Sequence, residues 1–271
     1  MRLLRAATIV GCCVSISWTI PATAAAQRHL PIVRDAPYLQ LEVTKPFTSQ
    51  DGPFAGTSFS STGWDLSATY PLAGGPTLFA RMGLMYASIE GLDGSVAFSN
   101  PRVGAMFGSD GDKRAEVHLD LPLATDFGDI YASGIAIFAD YEELERFTAD
   151  TWAVGGSASI EGQPGPGAFV GARGGAKVLI PADGSRDAYA QLSVFGHAPT
   201  DRTRFRIEFS SLLLVTADDL DFSDRSTFFA SLDVTWPSTR FSPTLFVRVP
   251  VDETLDATVP IVLGARLRAG G

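Results

Sequence analysis

An all-β fold is predicted, an antiparallel transmembrane β-barrel of about twelve strands with a short helix in one outer loop, and three observations predict it. From Tyr38 onward, segments of about ten residues alternate apolar and polar side chains with the two-residue period of a strand. Hydrophobic residues make up 45% of the 271, yet past the N-terminus they never gather into the run of about 20 that a membrane helix requires. Tight, turn-like connections alternate with longer ones along the chain, as short periplasmic turns alternate with outer loops in such barrels.

Residues 1–26 read as a secretory signal. Arg2 and Arg5 supply the basic start, Ala6 to Ile20 the apolar stretch, and Ala22-Thr23-Ala24-Ala25-Ala26 the small residues of a cleavage site. Residues 27–36 form an N-terminal periplasmic lead-in and 37–271 the barrel domain. Both cysteines, Cys12 and Cys13, fall inside the signal, so the mature chain forms neither a disulfide nor a thiolate metal site. Removing Arg2 and Arg5 from the 21 basic residues leaves 19 against 30 acidic ones, a formal charge of −11, which argues against nucleic-acid binding.

Six segments carry the clearest alternation. Trp64, Leu66, Ala68 and Tyr70 oppose Asp65, Ser67 and Thr69. Leu78, Ala80, Met82, Leu84 and Tyr86 oppose Phe79, Arg81, Gly83 and Met85. Ala115, Val117, Leu119 and Leu121 oppose Arg114, Glu116, His118 and Asp120. Val170, Ala172, Ala176, Val178 and Ile180 oppose Gly171, Arg173, Gly175 and Lys177. Phe205, Ile207, Phe209 and Leu213 oppose Arg204, Arg206, Glu208 and Ser210, and Val259, Ile261, Leu263, Ala265 and Leu267 oppose Thr258, Gly264, Arg266 and Arg268.

With the weaker stretches added, strands are predicted over 37–46, 60–72, 76–89, 95–107, 113–124, 150–161, 168–181, 186–197, 203–217, 225–236, 240–250 and 255–268. Ten is the other even count these boundaries allow. The longest connections, 47–59, 125–149 and 218–224, all follow odd-numbered strands, which puts both termini in the periplasm. A secreted β-sandwich alternates in the same way. Against it stand a polar face rich in glycine and arginine, and the aromatic residues Trp64, Tyr70, Tyr86, Trp152, Trp236 and Phe241 near strand ends, where rings suit a membrane interface.

The alternation assigns one set of residues to the lumen: Glu42, Asp65, Arg81, Arg102, Arg114, Glu116, His118, Asp120, Arg173, Lys177, Arg204, Arg206, Glu208, Asp233, Arg248, Arg266 and Arg268. An arginine or lysine facing lipid at the midplane would cost about 2 to 4 kcal/mol, which drives these groups inward. Such a lining implies either a channel for polar or anionic solutes or a salt-bridge network bracing a narrow interior. Gly83, Gly104, Gly171 and Gly175 on the same face would leave room in the lumen.

Residues 134–147 space Ile137, Phe138, Tyr141, Leu144 and Phe147 as on a helix among Asp140, Glu142, Glu143, Glu145 and Arg146, implying a lid, a plug or a cap on the barrel rim. Asp218, Asp219, Asp221 and Asp224 form a solvated outer loop, with a hard divalent cation as the alternative. No catalytic residue, metal site or cofactor is assigned, and the chain is expected to be no enzyme. The alternative is a lipid hydrolase acting at the rim with His118 or His197 as base, although no local spacing announces a nucleophile and its partners.

Four stretches, Ser99-Asn100-Pro101-Arg102-Val103-Gly104, Leu119-Asp120-Leu121-Pro122-Leu123-Ala124-Thr125, Asp150-Thr151-Trp152 and Val259-Pro260-Ile261-Val262-Leu263-Gly264-Ala265-Arg266, resemble the outer-membrane barrels grouped as phenol-degradation-pathway (MetA-like) transporters. The resemblance spans most of the mature chain. It implies an outer-membrane channel or transporter for passive passage of small molecules, hydrophobic or aromatic compounds among them, with outer-membrane lipid as partner. The solute and the oligomeric state are not specified by it, and a structural or adhesive barrel with a plugged lumen is the alternative. Two departures stand out: that family usually has Asp where Asn100 stands, and this chain ends Arg268-Ala269-Gly270-Gly271 rather than on an aromatic residue.

Overall fold

Period-two patterning fixes which side of each strand meets apolar surroundings, and pairing then follows from the need to satisfy every backbone group. The structure is a computed structural model that describes residues 37–48, 59–89, 93–108, 113–124, 135–137, 140–165, 167–200, 202–216, 222, 225–238, 240–251 and 259–270. The expected signal, the lead-in and the Asp218, Asp219, Asp221 and Asp224 cluster lie outside the described residues.

The strands are β1 (Tyr38–Phe47), β2 (Phe59–Pro71), β3 (Thr77–Ile89), β4 (Ser95–Phe98), β5 (Arg102–Phe107), β6 (Lys113–Asp120) and β7 (Thr151–Gly165). They continue with β8 (Ala168–Pro181), β9 (Asp187–Pro199), β10 (Arg204–Leu214), β11 (Ser226–Thr235), β12 (Phe241–Pro250) and β13 (Ile261–Gly270). All pairs are antiparallel. Because β1 pairs with both β2 and β13, the sheet closes on itself and leaves no free first or last strand. β4 and β5 both pair with β3, so they share one of the barrel's twelve strand positions.

Departures from the predicted boundaries have local causes. The strand expected over 95–107 is interrupted at Ser99-Asn100-Pro101, where Pro101 has no N–H for the ladder. There Ser99 N donates to Gly83 O at 2.8 Å and Gly83 N to Ser99 Oγ at 2.7 Å, so β3 stays tied across the break. β6 stops at Asp120, two residues before Pro122, and the last strand starts at Ile261 rather than 255, directly after Pro260. Val259, expected to point outward, is buried. It belongs to an interior cluster with Met85, Ala87, Ala97, Ile135, Ala136, Phe147 and Val262 at the long-loop end of the barrel.

The outer surface is an apolar belt, with Leu41, Leu66, Met82, Val117, Val154, Leu192, Val194, Ile207 and Leu245 all exposed. Tyr70, Trp152, Trp236 and Phe241 are exposed at or beside strand ends, whereas Trp64 is exposed well inside β2. Leu192 sits near the middle of β9 and is 58% exposed, so Leu192→Arg should destabilise the membrane-inserted barrel by about 2 to 4 kcal/mol. The check is the denaturant midpoint of refolding into lipid vesicles; an unshifted midpoint would place Leu192 away from the lipid core.

Candidate functional site

The interior is built from two sources, the inward side chains of the strands and a segment that folds back between them. That segment contains a helical turn at 135–137 and a 3₁₀ helix over Tyr141–Phe147. The helix expected at the outer loop is thus short and of the tighter type, and it is inserted rather than laid over the rim. Glu145, Arg146 and Phe147 are buried, and Ile135, Ala136 and Phe147 join the interior apolar cluster. Of the other residues read as its apolar face, Phe138 and the side chains of Tyr141 and Leu144 lie outside the described residues.

The insertion is anchored where the wall is broken. Asn100, fully buried, donates through Nδ2 to the carbonyls of Glu145 (2.8 Å), Thr148 (2.8 Å) and Thr151 (3.3 Å). Its Oδ1 accepts from Ala124 N at 2.6 Å, and its own N donates to Arg146 O at 2.5 Å. The Pro101 break therefore frees the backbone that the inserted segment uses.

Most of the residues read as lumen-lining meet around this segment. Arg81 bridges Asp65 (2.7 Å) and Glu143 (2.5 Å). Arg102 binds both oxygens of Asp120 (2.7 and 3.0 Å), Glu145 (2.6 Å) and Glu143. Lys177 reaches Glu145 at 2.6 Å, while Arg146 of the segment pairs with Asp65 and with Asp140 at 2.8 Å. Arg248 stands 3.5 Å from Asp140 and 3.7 Å from Glu42, and Arg266 lies 2.8 Å from Glu42 and 3.8 Å from Asp233.

The remaining predicted residues stand in smaller groups. Glu208 is shared by Arg173 (2.8 Å) and Arg206 (2.7 Å), Arg268 donates to Gln40 at 3.1 Å, and His118 Nδ1 lies 3.2 Å from Glu116. Arg204 is half-buried on β10, and Arg114 is exposed near the start of β6. Asp140, Glu143, Glu145 and Arg146 are not among the residues assigned to the lumen by alternation, although a plug is one of the readings given for their segment. The signal available was charge balance: the predicted inner face is short of acid, and the inserted run supplies it.

Glycines on the inner face do not leave the space expected of them. A Cβ at Gly171 would stand 2.4 Å from Phe195 Cζ, one at Gly104 2.5 Å from Phe79 Cζ, and one at Gly264 2.0 Å from Phe246 Cζ. Each glycine faces that phenylalanine directly across the ladder, so the ring lies over the neighbouring strand. Gly83 is covered by Arg146 and Asp65, and Gly175 backs onto Gly156 and Ser157. Gly264→Val should therefore cost about 1 to 3 kcal/mol by overpacking, whereas Gly174→Ala, whose Cβ would meet nothing within 4 Å, should be neutral. Thermal midpoints from heat-dependent gel mobility separate the two; equal midpoints would contradict the ring-over-glycine packing.

The inserted segment fills one side of the lumen and leaves a cavity of about 250 Å³ against β10 to β13. Arg173, Arg206, Arg248 and Arg266 line it together with Glu208, Asp233 and Asp140. Across the lumen, His118, Asp120 and Glu145 each bring one potential ligand atom within 4.8 Å of the others, but Arg102 and Lys177 already occupy the carboxylates.

Burial pushes the Glu143 carboxyl up, yet Arg102, Arg81, Arg146 and Lys177 hold it well below the usual carboxylate range. Burial and the neighbouring Glu143 push Asp140 up against Arg146, Arg81 and Arg248. A depressed value means that Glu143 stabilises insertion above its free-carboxyl value of about 4.3 and loses that contribution only as pH falls through the lowered value. A raised value makes the inserted Asp140 the better proton acceptor, so acidification does not expel the segment through it. Resistance of the segment to trypsin should be unchanged from about pH 7.5 to the lower limit of trypsin activity near pH 6, and conductance unchanged down to about pH 5. A steep rise in conductance within that window would contradict the assignment.

No protein-family model and no curated protein matches the sequence. Solved structures of similar shape are outer-membrane barrels. An outer-membrane channel from Pseudomonas putida F1 aligns over 87% of this chain and 95% of its own, with 13% identity and a TM-score of 0.55. The NanC porin aligns over 85% and 98% with 10% identity and a TM-score of 0.48, and LpxR from Salmonella typhimurium over 86% and 99% with 10% identity and 0.47. The first of these likenesses supports the fold. The expectation that the chain is no enzyme is corrected: a barrel fold does not decide between a channel and an enzyme, and enzyme status stays open.

Proposed function

We propose that the chain is an outer-membrane channel for the passive passage of small molecules, narrowed by its own inserted segment and delivered by cleavage of the N-terminal signal. One observation carries this reading: a closed barrel with an apolar belt encloses a charged interior in which a cavity of about 250 Å³ remains beside the insertion. Apolar solids of this shape belong in lipid, and closure satisfies the backbone there. The resemblance to phenol-degradation-pathway barrels supports aromatic or hydrophobic compounds as solutes, and the volume favours molecules of a few heavy atoms up to about one aromatic ring.

Reconstitution into planar bilayers tests the proposal. Discrete conductance steps from protein that shows heat-dependent gel mobility are the expected result. A folded but electrically silent barrel would favour a second reading, a structural or adhesive surface barrel with a plugged lumen, which the buried ion pairs of the inserted segment support.

A further inference from the structure

We infer that the β8 to β13 side of the lumen is a track for small organic carboxylates, made of guanidinium groups placed over inward aromatic rings. The inference rests on the channel reading and names the solute class. Its basis is a repeated three-layer stack. Phe195 lies over Gly171 and carries Arg206 at 4.2 Å from its ring centre. Phe246 lies over Gly264 and carries Arg248 at 4.9 Å and Arg266 at 5.2 Å. Toward the short-turn end, Arg268 stands 4.6 Å over the ring of Tyr38.

A guanidinium placed over a ring face can still present N–H donors to a planar two-oxygen acceptor. Wall carboxylates already sit between such groups, one oxygen to each: Glu208 between Arg173 and Arg206, and Glu42 between Arg266 and Arg248. A carboxylate in transit would exchange with these side chains from one pair to the next, and no site is forced to hold it tightly. Arg81, Arg102 and Lys177 are paired with the inserted segment on the other side of the lumen, whereas of the arginines placed over rings only Arg248 reaches that segment, 3.5 Å from Asp140. The cavity borders the arginines Arg206, Arg248 and Arg266, so a solute passing the insertion meets these groups. The cavity lining sets four arginines against Asp140, Glu208 and Asp233, a net charge of 4 − 3 = +1, which favours anions over cations.

The test is the reversal potential of the full chain in a planar bilayer under a potassium chloride gradient and then a potassium acetate gradient. Anion preference is expected in both salts. Arg206→Gln combined with Arg248→Gln should lower the anion-to-cation permeability ratio several-fold toward unity. Phe195→Leu with Phe246→Leu keeps every charge but removes the rings, and it should lower the acetate ratio more than the chloride ratio. Heat-dependent gel mobility checks that each variant is folded. A conducting wild type without anion preference, or ratios unmoved in both folded variants, overturns the track while the channel reading stands. A folded wild type with no conductance overturns the channel reading itself, and the track with it.

Discussion

Asn100→Asp is expected to release the inserted segment and raise single-channel conductance several-fold. The amide is fully buried, and its nitrogen serves the carbonyls of Glu145, Thr148 and Thr151 while its oxygen accepts from Ala124. Aspartate has the same shape but no donor, so its carboxylate would face three carbonyl oxygens without a proton between them. Each buried polar group left unsatisfied costs about 1 to 3 kcal/mol, and a buried unpaired charge costs more. The wall is less exposed to this change, because β3 remains paired with β4 and β5 on either side of Asn100. The loss should therefore fall on the segment. Limited trypsin digestion provides the structural readout: cleavage after Arg146 should become fast in the variant and stay slow in the parent. Unchanged conductance together with unchanged protection would show that Asn100 is not the anchor.

The barrel was legible because its determinant is local. A two-residue period and turn residues set every strand, and cross-strand pairs such as Glu42 with Arg266 and Arg102 with Asp120 follow once neighbours are known. Proline marks the places where the reading slipped, at Pro101, Pro122 and Pro260, since each removes a ladder donor from a run that otherwise alternates well. The interior was less legible. Which side of the rim an acidic loop occupies is decided by long-range charge complementarity, here Glu143 and Glu145 against Arg81, Arg102 and Lys177. The glycines misled for a related reason: an absent side chain reads as space in one strand, while the ring that fills it comes from the next.

Glu145→Gln should have the second large effect, because one carboxylate joins the inserted segment to two strands. Arg102 Nη2 and Lys177 Nζ each stand 2.6 Å from its oxygens, and the side chain is 1% exposed. Glutamine keeps the volume and an acceptor oxygen but removes the charge. Arg102 retains Asp120 and Glu143, so the loss falls chiefly on buried Lys177, whose 2.6 Å carboxylate contact is removed, and breaking such a pair costs up to about 3 to 5 kcal/mol. Faster trypsin cleavage at Arg146 and a higher conductance are the expected results. Removing both charges is a different matter, since an apolar pair of similar size in a buried site is often neutral. Glu145→Gln with Lys177→Met should accordingly recover much of the protection lost by Glu145→Gln alone. If the double variant is instead as labile as the sum of its single substitutions, Glu145 and Lys177 act independently and the ion pair is not what holds the segment in the lumen.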